Sequence, residues 1–494
     1  MGGFGTASAC ARRNVEHSLR RMTDTEEKHE ECGIVAIYSK HKEDVAPLLY
    51  HSMTKLNHRG QDAAGFVVFD GNNLRVRKGL GLVKEAFTDA DFDVGGHIGI
   101  GHTRYPTAGL KSGNGDIQPF AVGDVIVAHN GQLANHEELR GHFEWNGRLN
   151  NTTDSELIAS YLSSHAGDGL ESALTGFMEK ADGAYSVVGM FNGKVFAFRD
   201  PHAIRPLVYG ENSDYICFAS ETAALDTNGI PYSGDVGPGE LCVVEDGRIV
   251  KTQIMADKPS HCMFEWVYFA DPSSVIQGVE VYDTRRRLGI ELAREHPVDA
   301  DVVIPVPDTS RPAAQAFARE LGIVSEEGLT KCRYVDRTFI MPSQERREDA
   351  VKLKLNPVKS VIDGKRVVLV DDSIVRGTTL RTIVDLVRSA GAKEVHVRIT
   401  CPALEYPCYY GVDMKTRSEL IAGTRSVGEI RRFIRADSLG YVSIDGLKRA
   451  IGKPLCTGCL SGKYPTPYAR MLRSRDDREL AADMSGKRQD DYRF

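Results

Sequence analysis

Two short stretches carry residues able to do chemistry. In "VVLVDDSIVRGTT" two carboxylates, Asp371 and Asp372, end an apolar run and are followed by Ser373, Gly377, Thr378 and Thr379. Backbone N–H groups at the start of a helix can hold a phosphate, a glycine permits close approach, and hydroxyls add donors. The adjacent acids repel a phosphate, but they suit ribose hydroxyls or a Mg²⁺ ion bridging to a diphosphate. One ligand meets both demands: phosphoribosyl pyrophosphate. A bare acid pair after a strand more often caps the next helix. The apolar run before this pair and the "GTT" after it favour the ligand site.

The second stretch is "EEKHEECGIVAIYS", where Cys32 stands directly before a strand-like run and behind thirty-one residues of polar, charged chain. A lone cysteine at the start of an apolar strand is more often core than catalyst. Three further fragments change that balance. "GHTRYPT" supplies Arg104, "AHNGQL" supplies Asn130 and Gly131, and "NTTDSE" supplies Asp154. A guanidinium fork suits a carboxylate, a side-chain amide with a backbone N–H suits an oxyanion, and an aspartate suits an ammonium group. With the thiol they match the α-carboxylate, α-amino group and side-chain amide of glutamine. Alone, "HNG" can be a simple turn and "TDSE" a capping box. No side chain stands out as general base. An α-amino group, with a pKa of about 7.7–8.0, can take a proton near neutrality, whereas a peptide nitrogen cannot. Cys32 is therefore expected to become residue one, with residues 1–31 removed as a propeptide.

These residues need elements to position them. From Cys32 to about residue 255 the chain reads as short strands: "CGIVAIYS", "GFVVFDG", "HIGIGHTRY", "DVIVAHNG" and a hairpin turning at Asn192-Gly193. Two helices interrupt, one over 43–57 with Val45, Leu48, Leu49 and Leu56 on one face, the other "DSELIASYLSSH" with Leu157, Ile158, Tyr161 and Leu162. This predicts packed antiparallel sheets with helices outside. After "MADKPSH" the pattern becomes strand, polar loop, helix, strand. "DVVIPVPDTS" leads into "RPAAQAFARELG", with Pro312 in the first turn, Ala314, Phe317, Ala318 and Leu321 inward, and Gly322 as the stop. "RVVLVDDSIVRGTTLRTIVDLVRSAGA" repeats the layout, with Leu380, Ile383, Val384 and Val387 inward and Gly391 closing. Such units build a parallel sheet that binds ligands at its carboxyl edge. The charged 331–356 stretch between them reads as a mobile loop, and the last twenty-five residues as a solvated helix or a frayed tail.

At 494 residues the chain predicts two large domains. A net charge of −6 is too mild to suggest a nucleic-acid or membrane-surface binder, so small molecules are the expected partners. There is no spanning apolar run and no signal core, which predicts a cytoplasmic protein. "RRNVEHSLRRM" weakly suggests a transit peptide, but the acidic "DTEEKHEE" after it opposes that, and translation can start at Met1 or Met22. Ten scattered cysteines favour metal or catalytic roles over disulfides. "CTGC", Cys456 and Cys459, has the spacing of a metal pair. Position does not select two partners from Cys242, Cys262, Cys332, Cys401 and Cys408, nor does spacing separate zinc from an iron–sulfur cluster.

In family order, "CGIVAI", "HRGQDAAG", "HTRY", "HNG", "TTDSE", "RYVDRTFIMP" and "VLVDDSIVRGTT" resemble the glutamine phosphoribosylpyrophosphate amidotransferase family. The resemblance implies α+β and α/β architecture: an N-terminal-nucleophile αββα sandwich followed by a phosphoribosyltransferase-type parallel-sheet domain. It divides the chain into a propeptide (1–31), a glutaminase domain (32–258), a phosphoribosyltransferase domain (259–470) and a charged tail (471–494). It makes Cys32 catalytic with Asn130 and Gly131, and makes Asp371 and Asp372 ligands of ribose and Mg²⁺, with Thr309 as a third residue at the metal. Arg337 joins the Ser373–Thr379 loop as a ligand of phosphoribosyl pyrophosphate. The cluster-bearing, propeptide-bearing branch of the family pairs its CxxC with cysteines in contexts like "HCMFEWVYF" and "YPCYYG", which implies a 4Fe-4S cluster on Cys262, Cys408, Cys456 and Cys459. Cys401 and Cys332 are then bystanders. Purine-nucleotide feedback and a homotetramer follow from the resemblance alone. Asp271 and Asp336 depart from it, which affects expectations for loop closure. Two rivals stand beside this reading: a glutaminase feeding another acceptor, opposed by "VDDSIVRGTT", and a non-catalytic purine sensor, opposed by the intact Cys32 constellation.

Overall fold

The computed structural model of the chain describes residues 32–104, 116–142, 153–332, 354–414 and 416–490, with side chains at 142 and 479–490 set aside. The expected propeptide, Asp336, Arg337 and most of the charged 331–356 stretch lie outside the described residues. Packing sorts the chain into two compact units. The first takes the described residues of His29–Thr284, Glu405–Arg417 and Lys448–Phe494, and the second takes those of Arg285–Leu404 and Ser418–Leu447.

The first unit faces a seven-stranded antiparallel sheet against a six-stranded one. Strand β1 (Gly33–Ser39) is central, paired with Ile98–Arg104 and Tyr215–Ala219. Its alternation sends Val35 and Ile37 under the helix α1 (Ala46–Lys55), and Ile34 and Ala36 into the layer between the sheets. Strand β2 (Ile98–Arg104) does likewise: Ile98 and Ile100 face the inter-sheet layer, while Gly99 and Gly101 lie against α1. A Cβ at Gly101 would sit 2.6 Å from the Met53 sulfur. On β3 (Val125–Leu133), Val125 and Val127 turn outward to the helices α2 (Asp154–His165) and Leu170–Met178, while Ile126 and Ala128 turn inward. Continuing the period of two puts His102, Arg104 and Asn130 on the inter-sheet face. The layer that supplies the dry core therefore also carries polar groups that accompany Cys32.

Most sequence expectations for this unit match. Leu157, Ile158, Tyr161 and Leu162 are buried on α2, each contributing about 1.5–3 kcal/mol of burial. Asn192 and Gly193 take φ of 50° and 73°, as a tight hairpin turn of the primed type requires. Leu48 differs, being only partly buried at the edge of the α1 contact. The helix Leu170–Met178 was not expected; it buries Ala173, Leu174, Phe177 and Met178 at helical spacing.

The second unit holds a five-stranded parallel sheet in the order Val324–Ser325, β4 (Val302–Pro305), β5 (Arg366–Asp371), β6 (Glu394–Ile399), Ser438–Tyr441. Helix α3 (Arg311–Leu321) follows β4 and ends at Gly322, whose φ of 69° gives a left-handed stop. Leu321 is half-buried rather than inward, because it lies in the last turn beside that stop. Helix α4 (Thr378–Ser389) buries Leu380, Ile383, Val384 and Val387, as the pattern predicts. The charged stretch is not loop at its ends: Leu329–Lys331 pairs antiparallel with Leu355–Pro357, and 333–353 lies outside the described residues. Of the two tail alternatives the helix holds, over Pro467–Asp490. Arg417 meets Asp477 of this helix at 3.2 Å, and Arg473 pairs with the same aspartate along the helix at 3.2 Å.

Candidate active sites

Cys32 leads into β1 and is partly exposed. Its carbonyl accepts from Arg59 Nε at 3.3 Å. The next residues are fixed from the other side, since Ser220 Oγ accepts from Ile34 N–H at 3.0 Å and Ser220 N–H donates to Ile34 carbonyl at 3.0 Å. Arg59 is 1 % exposed, and its fork donates to both oxygens of Glu265 at 2.9 Å and to Glu221 at 3.1 Å. Burial alone would raise the Glu221 pKa, but His58 and Arg59 hold that carboxylate well below the usual range.

Asn130 is buried, and its Nδ2 has no hydrogen-bond partner among the described residues. Gly131 has a φ of 135°, and a Cβ there would stand 2.0 Å from the Ala184 carbonyl oxygen, so no side chain fits. An unsatisfied buried donor is rare in a native core and costs about 1–3 kcal/mol. Such a donor next to a bare backbone is suited to meeting a developing negative charge. His102, on the same inter-sheet face as Arg104, is buried, with both ring nitrogens likewise unpartnered among the described residues; burial holds it neutral by driving its pKa down.

Asp154 opens α2, behind Thr153, whose side chain caps the helix by accepting from Glu156 N–H at 3.3 Å. The aspartate accepts from Leu133 N–H at 3.2 Å and stands 3.7 Å from His129 Nδ1. "TTDSE" thus performs the structural work of a cap as well as presenting a carboxylate. Burial, the main influence, lowers the His129 pKa. The sequence did not single out Arg59, Glu221, Glu265 or Arg205, although a charge inside the apolar "FEWVYF" signals a buried partner.

In the second unit, Asp371 and Asp372 end β5 at the carboxyl edge of the sheet, 6 % and 2 % exposed. Thr309, beyond β4, donates to Asp372 Oδ2 at 2.8 Å, and Ser373 Oγ donates to Asp372 Oδ1 at 2.8 Å. The three residues expected around a metal, Thr309, Asp371 and Asp372, thus stand together, two of them in direct contact. Gly377 caps α4 with φ 81°, turning the chain so that the N–H groups of Thr378 and Thr379 open the helix. Among the described residues no group of three or more His, Cys, Asp or Glu side chains is placed to hold a metal ion. Oxygen donors of this kind suit Mg²⁺, which commonly takes one or two carboxylates together with substrate phosphates.

Three chain segments of the first unit carry the nominated cysteines, which among the described residues do not form a group of three or more side chains placed to hold a metal ion. His261–Cys262 pairs in parallel with Leu455–Cys456, with Cys262 opposite Cys456. The Cys459 carbonyl accepts from the N–H groups of Glu405 and Tyr406 at 3.0 Å, and Cys408 Sγ accepts from Tyr410 N–H at 3.4 Å. Burial pushes the Cys456 thiol up to about 12. Cys401 and Cys332 belong to the second unit. Cys242 is a buried strand residue of the inter-sheet layer.

Fold and sites together define a glutamine amidotransferase sandwich of the N-terminal-nucleophile αββα type joined to a phosphoribosyltransferase-type parallel sheet. The glutamine amidotransferase domain family matches residues 102–227, and the phosphoribosyl transferase domain family matches residues 280–419. The chain is 48 % identical over 461 residues to the amidophosphoribosyltransferase of Methanocaldococcus jannaschii, covering 88 % of this chain and 98 % of that one. Two solved structures, each 40 % identical over 88 % of the chain, are similar. The glutamine phosphoribosylpyrophosphate amidotransferase of B. subtilis, complexed with ADP and GMP, gives a TM-score of 0.82 and is 98 % covered. A structure described as the allosteric regulatory enzyme of purine biosynthesis gives 0.83 and is 97 % covered. The chain belongs to the amidophosphoribosyltransferase family. It is a glutamine-dependent glycosyltransferase: ammonia from glutamine is transferred to C1 of phosphoribosyl pyrophosphate, giving 5-phosphoribosylamine, glutamate and pyrophosphate at the first step of purine synthesis.

Proposed function

We propose that the two half-reactions run at the two constellations described above. Cys32 attacks the glutamine amide, its own α-amino group serving as base once residues 1–31 are removed. Asn130 Nδ2 and the Gly131 N–H take the oxyanion, Arg104 the substrate carboxylate and Asp154 its ammonium group. The observation that carries this reading is the buried Asn130 Nδ2, unpartnered among the described residues, beside a glycine that excludes any side chain. At the other site, Asp371 and Asp372 bind the ribose, and Ser373, Gly377, Thr378 and Thr379 hold the 5-phosphate, with Arg337 completing the ligand set. Mg²⁺, held by Thr309, Asp371 and Asp372, would supply charge neutralisation of the leaving diphosphate.

Cys262, Cys408, Cys456 and Cys459 would hold a 4Fe-4S cluster whose contribution is structural cross-linking of three chain segments. Their residue type and the pairing of Cys262 opposite Cys456 support this. Anaerobically prepared protein should contain iron and sulfide, and Cys408→Ser should lose them while Cys401→Ser keeps them; zinc alone would refute the assignment. Domain limits of 32–258 and 259–470, a homotetramer and a cytoplasmic location belong to the same reading. Among the described residues no helix is long and apolar enough to cross a membrane. Purine nucleotides are proposed as feedback inhibitors, supported by the nucleotides in the B. subtilis complex.

The test of the division of labour is Cys32→Ala. Glutamine-dependent synthesis should vanish while synthesis from ammonium salt survives, read as phosphoribosylamine or pyrophosphate formed. A variant that still uses glutamine refutes the nucleophile, and N-terminal analysis of active enzyme should find Cys32 first.

A further inference from the structure

Gly131, whose N–H is one of the two donors assigned to the oxyanion, is hemmed in by two stretches of backbone. Its φ of 135° lies in the positive range that favours glycine, where a turn about N–Cα is easy and re-aims the N–H against the strand beyond it. One neighbour is Ala184, whose carbonyl oxygen would stand 2.0 Å from a Cβ on Gly131. The other is Gly411, from the Glu405–Arg417 segment that follows β6 in the sequence and returns to the first unit. A Cβ on Gly411 would stand 3.2 Å from the Gly131 carbonyl carbon and 3.4 Å from its oxygen, so only a bare Cα lets the two backbones lie this close. Gly411 has a φ of 105°, which also favours glycine. Tyr410, 2 % exposed, fixes this turn from both ends. Its carbonyl accepts from Arg205 Nε and Nη2 at 3.0 and 2.6 Å. Its hydroxyl accepts from Thr466 N–H at 3.2 Å and shares a hydrogen bond with Thr466 Oγ1 at 2.9 Å.

We infer that Tyr410 and Gly411 are positioning residues for glutamine hydrolysis: their turn clamps the backbone of Gly131 and so keeps its N–H, beside Asn130 Nδ2, aimed at the developing oxyanion. The inference rests on the Asn130–Gly131 pair being the oxyanion site. Donors of this kind act by being in place before charge develops. A glycine free to turn would spend part of that advantage on reorganisation, and a clamp made of backbone on both sides removes the freedom. A methyl group on Gly411 would force Gly131 to give by a few tenths of an ångström. A displacement of about 1 Å at a reacting atom costs on the order of 100-fold in rate, so a shift of this smaller size should be felt in the chemical step. Synthesis from free ammonia makes no use of these donors.

The experiment compares Gly411→Ala, Tyr410→Phe and Gly229→Ala in the full chain. It reads synthesis from glutamine and from ammonia, the melting temperature, and inhibition by glutamate γ-semialdehyde, to whose carbonyl the Cys32 thiol adds, giving a hemithioacetal with its oxygen at the donors. Gly411→Ala should lower kcat with glutamine by about 10-fold and weaken the semialdehyde by a similar factor. KM for glutamine should move less than about twofold and ammonia-dependent synthesis should hold, as expected for lost positioning rather than lost binding. Tyr410→Phe should act in the same direction, by about threefold. Gly229 also has a positive φ, 64°, but a Cβ there meets nothing within 4 Å. Its alanine variant carries backbone strain without the contact, and should lose melting temperature but not kcat. A Gly411→Ala kcat within about twofold of the parent, equal losses with both nitrogen donors, or an equal loss of kcat in Gly229→Ala would overturn the inference. Should Gly411→Ala fail to melt cooperatively, Tyr410→Phe decides, since its kcat must fall with glutamine and hold with ammonia. Asn130→Leu separates the two readings. If it keeps its kcat with glutamine, the oxyanion assignment is wrong; if it is slow while Gly411→Ala runs at the parent rate, only the clamp is wrong.

Discussion

The two constellations handle their polar groups in opposite ways. At the phosphoribosyl end both oxygens of Asp372 already accept hydrogen bonds, from Thr309 and Ser373. At the glutaminase end Asn130 Nδ2 and both His102 nitrogens are buried without partners among the described residues. The first site is satisfied and must exchange protein partners for ligand. The second holds its donors unpaired and has nothing to give up when charge develops. The difference follows from location: a carboxyl edge of a parallel sheet is lined by loop hydroxyls, whereas the inter-sheet layer is mostly apolar.

The contrast can be broken at either end. The largest effect should come from replacing Asp371 and Asp372 together by Asn. Synthesis from glutamine and from ammonia should both fall by at least on the order of 10³-fold, with residual glutamine hydrolysis retained. Preserved ammonia-dependent synthesis would remove these acids from the second reaction. Next, Asn130→Leu should lower glutamine-dependent kcat by about 10²–10³-fold while the melting temperature holds or rises, because an unpaired buried donor is replaced by an apolar group. A melting temperature several degrees lower would show that Asn130 is a structural partner, and the contrast between the sites would disappear. The smallest effect belongs to Thr309→Val, which removes one donor from Asp372. It should cost about 0.5–1.5 kcal/mol in urea unfolding, together with a rise in the Mg²⁺ concentration giving half-maximal synthesis. An unmoved Mg²⁺ response would leave Thr309 as a purely structural partner.

Much of this arrangement was legible in the sequence because it depends on local periodicity. The inward faces of α2 and α4, the turn at Asn192-Gly193 and the stop at Gly322 are each set by residues within a few positions of one another. The acid pair was legible for the same reason. What the sequence did not yield depends on distance along the chain. Arg59 meets Glu221 and Glu265 across 162 and 206 residues, and Arg205 meets Tyr410 across 205, and no spacing rule reaches that far. Asp154 was read for its charge, while its second duty, holding the Leu133 N–H, appears only once α2 is laid against β3. The choice of Cys408 over Cys401 came from resemblance; geometry then separates the two cysteines by unit.

The return of Glu405–Arg417 and Lys448–Phe494 to the first unit has a consequence for the order in which the protein is made. During synthesis Cys32 emerges early, and the parallel sheet has all its strands once Tyr441 is out. The unit that began first cannot be completed until Cys456 and Cys459 have left the ribosome. Domains usually fold as they emerge, amino-terminal first. Here the amino-terminal unit must wait with an unfinished flank, so a stalled or truncated nascent chain exposes the cysteine-bearing surface of a glutaminase that is otherwise assembled.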